Sequence, residues 1–188
     1  AERDVLDPGL AEARHHGLRE QRRGRRGQRC AEAALGRAAD EGLEVRTVER
    51  VAAREHDVML VLTGGEGPAE HVVVDDIARM GLRGRVRRTG LIPRRDVLAI
   101  VRGAVALTFP SRYEGFGLPV LEAMSLGTPV LAADAAALPE VVGDAARLVA
   151  VDDAEAWIEA MTLMLEDGEE RQRLAAAGRA RVAAFTWA

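Results

Sequence analysis

The chain has no lysine: all 26 of its basic residues are arginine, the bias of a gene rich in G and C. Cysteine is nearly absent too. The single thiol, Cys30, excludes an internal disulfide and fits a reducing compartment. No apolar run approaches the ~20 residues of a membrane span, and the start carries no signal-peptide core. We therefore expect a cytoplasmic location, with or without peripheral attachment to the inner face of the membrane. Excess charge of one sign is also missing. A formal charge of −4 and a pI near 5.7 give no general pull toward nucleic acid or an anionic surface. There is no internal repeat and no linker rich in proline and serine.

What remains is 188 residues, 48% of them apolar, enough for one sizeable core. Residues 1–40 contribute little to it. They hold few large apolar side chains, no alternating run and an arginine cluster, REQRRGRRGQR, between Arg19 and Arg29. Interleaved aromatics, the mark of a nucleic-acid surface, are missing and Glu20 interrupts the cluster, so no nucleic-acid partner is expected. We read 1–40 as an irregular extension without strands, solvated or disordered, or translated from a shifted frame. Ala31 to Leu35 is alanine-rich and better suited to helix than strand.

From residue 41 onward the pattern is regular. Leu43, Val45, Val48, Val51 and Ala52 recur at helical spacing, and Val58 to Leu62 reads as a strand. Helices follow over His71 to Met80 and from Pro93 to about Gly103, with a short strand near Val86 to Thr89 between them. Further strands are expected over Ala104 to Phe109, Pro129 to Ala133 and Arg147 to Val151. Helices are expected over Leu138 to Val142, Asp153 to Glu166 and Glu169 to Ala184. Strands alternating with helices of about ten residues imply βαβ units. The expected class is α/β, a Rossmann-like parallel sheet with helices on both faces. In such sheets ligands bind beyond the carboxyl ends of the strands, where the Thr63 to Pro68 loop with Gly65 and the Gly90 to Pro93 loop with Ile92 fall. Ile92 precedes a proline and is held extended. The loop at Gly65 reads equally as a plain turn.

The chain is organised around Pro110 to Glu122, PSRYEGFGLPVLE. Pro110 ends a buried strand because it cannot donate to the ladder, and Pro119 in a first turn marks a helix start. The result is strand, glycine loop, helix. A helix begun this way offers free backbone N–H groups and partial positive charge, a natural seat for phosphate. From Phe116 through Ala133 the one ionisable side chain is Glu122, so the helix is expected to be buried nearly all round. A buried carboxylate needs hydrogen-bond donors. Paired hydroxyls of a ligand would serve, and so would an arginine from elsewhere in the fold.

Residues 114–122, E-G-F-G-L-P-V-L-E, resemble the donor-site motif of the family 4 (group 1) glycosyltransferases, enzymes of the two-domain GT-B fold. The likeness continues through EAMSLGTPVLAAD, LPEVVGDAARLV and the terminal FTWA, and back through LVLTGGEGP and RTGLIPRRDV. It covers about Val45 to Ala188, with the motifs in family order. The resemblance implies that residues 41–188 are the donor nucleotide-sugar-binding domain, the C-terminal half of a retaining glycosyltransferase that moves a hexose from a nucleotide-sugar to an unknown sugar or lipid acceptor. It assigns Glu114 to the donor sugar, as the catalytic position. The backbone of Gly115, Phe116, Gly117 and Leu118 falls to sugar and diphosphate, Glu122 to the ribose hydroxyls and the loop at Ile92 to the nucleobase. No cofactor beyond the donor substrate and no metal is implied. The sequence agrees, since no DxD cluster adjoins the glycine loop and the four histidines lie far from it.

Two departures from the family pattern matter. Its N-terminal acceptor domain is not seen in residues 1–40, so half of the enzyme, inactive alone, is expected. The arginine and lysine that the family sets on the diphosphate are represented at best by Arg37, beside an acidic stretch. A non-catalytic module binding a nucleotide-sugar or a protein is the alternative. A sugar-nucleotide epimerase of related fold fits the E-x7-E loop less well.

Overall fold

In a computed structural model of the chain, the residues described are 29–34, 47, 49–51, 58–65 and 70–185. Six parallel strands form one sheet: β1 Arg29–Ala34, β2 Val58–Thr63, β3 Val86–Arg88, β4 Leu107–Phe109, β5 Val130–Ala133 and β6 Arg147–Val149. Their spatial order is β3-β2-β1-β4-β5-β6. The helices are α1 Glu70–Arg79, α2 Arg94–Gly103, α3 Leu118–Leu126, α4 Leu138–Val142, α5 Ala154–Glu166 and α6 Gly168–Val182. The expected elements are all found within a few residues of their bounds, except where they fall on residues not described. The helix expected over 43–52 is seen only as helical backbone at Thr47, Glu49, Arg50 and Val51.

One expectation is overturned. Residues 1–40 do contain a strand, and it is the middle of the sheet. β1 pairs in parallel with β2 from Arg29↔Val58 to Ala34↔Thr63, and with β4 at Glu32↔Leu107 and Ala33↔Thr108. The sheet thus takes in residues well before position 41. An alanine-rich run favours helix in isolation, but ladder hydrogen bonds on both edges outweigh that preference.

The strand order carries a reversal. From β1 the chain steps through β2 to β3, then returns across the sheet to β4 and continues outward to β6. Parallel crossovers are right-handed, so segments stepping one way lie on one face and those stepping the other way on the opposite face. α2 and α3 therefore share a face and touch each other. The core is continuous: Leu60, Leu107, Phe109, Val130 and Leu131 in the strands and Val120, Met124, Leu138, Trp157 and Met164 in the helices are 0–2% exposed. Two polar side chains within it are paired across elements. Thr128 Oγ1 donates to Val101 O (2.9 Å) at the end of α2, and Trp157 Nε1 to Ala150 O (3.1 Å). α6 lies over α3, and Arg181 at its end donates to the carbonyls of Val141 (2.9 Å) and Glu140 (2.6 Å). Among the described residues no helix is long and apolar enough to cross a membrane.

Candidate functional site: the carboxyl edge of the sheet

Because every strand is parallel, the loops after β2, β3, β4, β5 and β6 open on one edge of the sheet. The order reverses between β1 and β4, and ligands of open α/β sheets bind in the crevice at such a switch point. The loop that begins at Pro110, directly after β4, lies beside this point.

That loop is built on Ser111, which is fully buried. Its Oγ donates to Glu114 Oε1 (3.1 Å), so the carboxylate expected to meet the sugar is held from below. Gly115 and Phe116 are exposed. Gly117 is the N-cap of α3 in the left-handed region (φ 77, ψ 41), and a Cβ there would stand 2.8 Å from Leu138 Cδ2. At Gly115 a Cβ would meet no protein atom within 4 Å. The fold therefore requires glycine at 117 and leaves the space around 115 open. No side chain caps α3 and its first turn carries no acidic residue. Pro119 has no N–H, and Val120 N and Leu121 N donate to Gly117 O (3.0 and 3.3 Å), so this end offers an anion the Leu118 N–H and the helix dipole.

The loop is also tied from the side. Arg112 pairs with Asp152, beyond β6, and this hydrogen bond holds the Asp152 carboxyl below its ordinary range. The Phe116 ring meets Phe185 edge-on at 5.9 Å, and the Arg181 guanidinium lies 5.3 Å from the Phe185 ring centre. The C-terminal aromatic thus packs on the glycine loop, worth about 0.5–1.5 kcal/mol beyond burial.

Glu122 departs from expectation. Its helix is not buried all round: Leu118, Pro119 and Ser125 are exposed, and the Glu122 side chain is 31% exposed. Of the two donors considered for it, the arginine is present. Arg94, first residue of α2, donates to Glu122 Oε1 from both Nε (3.0 Å) and Nη2 (2.5 Å).

The remaining expected residues divide. Gly65 and Ile92 lie on adjacent loops: Gly64 N donates to Gly90 O (3.3 Å), and a Cβ on Gly65 would meet Leu91 Cγ at 3.3 Å. Arg37 lies outside the described residues. No group of three metal-ligating side chains is found among the described residues. Sequence reasoning missed Ser111, Arg94 and Phe185 as partners. Arg94 carried a faint signal, since a cation in the first turn of a helix opposes the helix dipole and asks for a compensating anion.

This is an α/β domain of the GT-B fold. The profile of the glycosyl transferases group 1 family matches residues 44–181, and the chain belongs to that family. It is 37% identical to the O-antigen chain mannosyltransferase B of Escherichia coli, over 68% of this chain and 34% of that protein. It spans about a third of the curated relatives it matches. Among solved structures, the C-terminal domain of a group 1 glycosyltransferase (LpcC) from Francisella tularensis superposes with a TM-score of 0.76 at 22% identity, covering 87% of this chain and 89% of that one. Anabaena Alr3699/HepE, in complex with UDP-glucose, gives 0.75 at 21% identity, covering 95% of this chain and 49% of that one.

Proposed function

We propose that this chain forms the donor half of a retaining glycosyltransferase, binding a nucleoside-diphosphate hexose across the edge between β3 and β4 for transfer to a sugar or lipid acceptor held by a further domain. The observation that carries this reading is the uncapped start of α3, with Gly115 above it left open by the protein. The diphosphate takes the N-terminus of α3, the sugar takes Glu114 held by Ser111, the ribose hydroxyls take Glu122 and the base lies against the loop of Gly65 and Ile92. The C1–O bond to the diphosphate breaks, the acceptor hydroxyl attacks C1 from the same face and passes its proton to the departing diphosphate oxygen, and the nucleoside diphosphate leaves with its charge met by backbone N–H groups instead of a metal. Preorganised donors of this kind commonly contribute the largest catalytic term. The match over most of both chains to an isolated C-terminal domain, and the UDP-glucose held by the HepE structure, support it.

Calorimetry of the chain with UDP, ADP and GDP tests the reading. One nucleotide binds, and replacing ribose by 2′-deoxyribose or Glu122 by Gln removes a charge-assisted hydrogen bond worth about 1.5–3 kcal/mol. Equal affinity for the ribo- and deoxyribonucleotide takes the ribose role from Glu122. From the 188 residues alone we expect binding without sustained nucleotide release from a nucleotide-sugar, because placing two substrates together contributes about 7–11 kcal/mol. Multiple turnovers with simple sugar acceptors would show that no further domain is required.

A further inference from the structure

Glu122 and Arg94 are 28 residues apart in sequence and meet because α2 and α3 share a face. The geometry of the meeting is one-sided. Both guanidinium donors converge on Oε1, while Oε2 accepts nothing from the described residues. Arg94 gains little from its own helix: it stands in the first turn, where the dipole disfavours a cation, and Pro93 supplies no side-chain cap. It is 72% exposed, and ion pairs this open contribute little to stability. It follows the Gly90 to Pro93 loop directly, so any movement of that loop around a base moves the guanidinium as well.

We propose that Arg94 is a positioning residue that sets the preference of this site for a ribose diol: it fixes one oxygen of Glu122 and thereby presents the other, oriented, to the 2′- and 3′-hydroxyls. This rests on the ribose role of Glu122 given above. A carboxylate free to rotate about its terminal torsion would accept from ribose and water alike. Pinned through Oε1, it offers Oε2 in one direction. A planar guanidinium does this with two donors in a fixed fork, whereas an ammonium would supply charge without orientation.

The test is titration of the chain with UDP, ADP and GDP and their 2′-deoxy counterparts, in the wild type and in Arg94→Met, Arg94→Lys and Glu122→Gln. For the nucleotide that binds, the wild type prefers the ribo form by about tenfold or more, and Glu122→Gln removes the preference. Arg94→Met lowers it to about threefold or less, and Arg94→Lys falls between. Melting temperatures of both Arg94 variants stay near the wild-type value, which separates positioning from a structural role. A full preference kept in Arg94→Met but lost in Glu122→Gln overturns this inference and leaves the ribose role of Glu122 standing. Tighter binding by Arg94→Met also overturns it, since Arg94 would then compete with the ligand. No ribo preference in the wild type removes the role of Glu122 and this inference together.

Discussion

Replacing Gly117 by alanine should cost stability, and replacing Gly115 by alanine should cost nucleotide binding, although the two glycines are one residue apart. Gly117 sits at φ 77, and its new Cβ would lie 2.8 Å from Leu138 Cδ2. Holding an L-residue in the left-handed region costs about 1–2 kcal/mol. Leu138 is 0% exposed, so its methyl has nowhere open to swing, and overpacking of this kind costs about 1–3 kcal/mol. The two strains relax together, giving about 2–4 kcal/mol, a large part of a typical domain's 5–15 kcal/mol. For a chain of this size that lowers Tm by about 5–15 °C. In urea titrations the midpoint falls while the slope is unchanged. At Gly115 neither strain exists, so Gly115→Ala stays within about 0.5 kcal/mol of wild type. The methyl would still fill space that the donor needs, and the affinity for the bound nucleoside diphosphate or its sugar should drop at unchanged stability. A Gly117→Ala midpoint equal to wild type would refute the strain reasoning. Undiminished donor binding by Gly115→Ala would show that nothing packs on that position.

Ala136, between β5 and α4, is the one non-glycine residue with positive φ (50) among those described. Ala136→Gly relieves about 1–2 kcal/mol of left-handed strain against about 0.5–1 kcal/mol of added chain entropy, so thermal melts should show a gain of a few tenths to about 1 kcal/mol. Asp152, exposed and lowered by its hydrogen bond from Arg112, contributes stability above its unfolded pKa and loses it as pH falls through the depressed folded value. Asp152→Asn should therefore differ from wild type most at neutral pH and low salt, and converge with it well below pH 3.8. Denaturant midpoints at pH 7 and pH 3 check the sign, and a gap that widens in acid would reverse it.

Much of this protein was legible in the sequence because the relevant signals are local. Pro119 in a first turn marks the start of α3, Gly127 follows its end, and the apolar runs at 58–62 and 129–133 sit where β2 and β5 form. The site loop was legible for the same reason: Pro110, Gly115, Gly117 and Glu122 announce strand end, turn and helix within thirteen residues. Tertiary structure decided what depends on partners distant in the chain. β1 was missed because its alanines favour helix when alone, while its ladder bonds come from β2 and β4, some 29 and 75 residues further on. The exposure of Glu122 was misjudged for a related reason. An apolar helix sequence gives a mean burial but not which side meets solvent, and that side was fixed by α6 covering α3 elsewhere. Arg94 became its partner through the reversal of strand order and the right-handed crossover, which set two helices from different βα units on one face. Hydrogen bonds and caps within a turn are written in neighbouring residues, whereas the pairing of a carboxylate with a guanidinium 28 positions away is written only in the path of the chain.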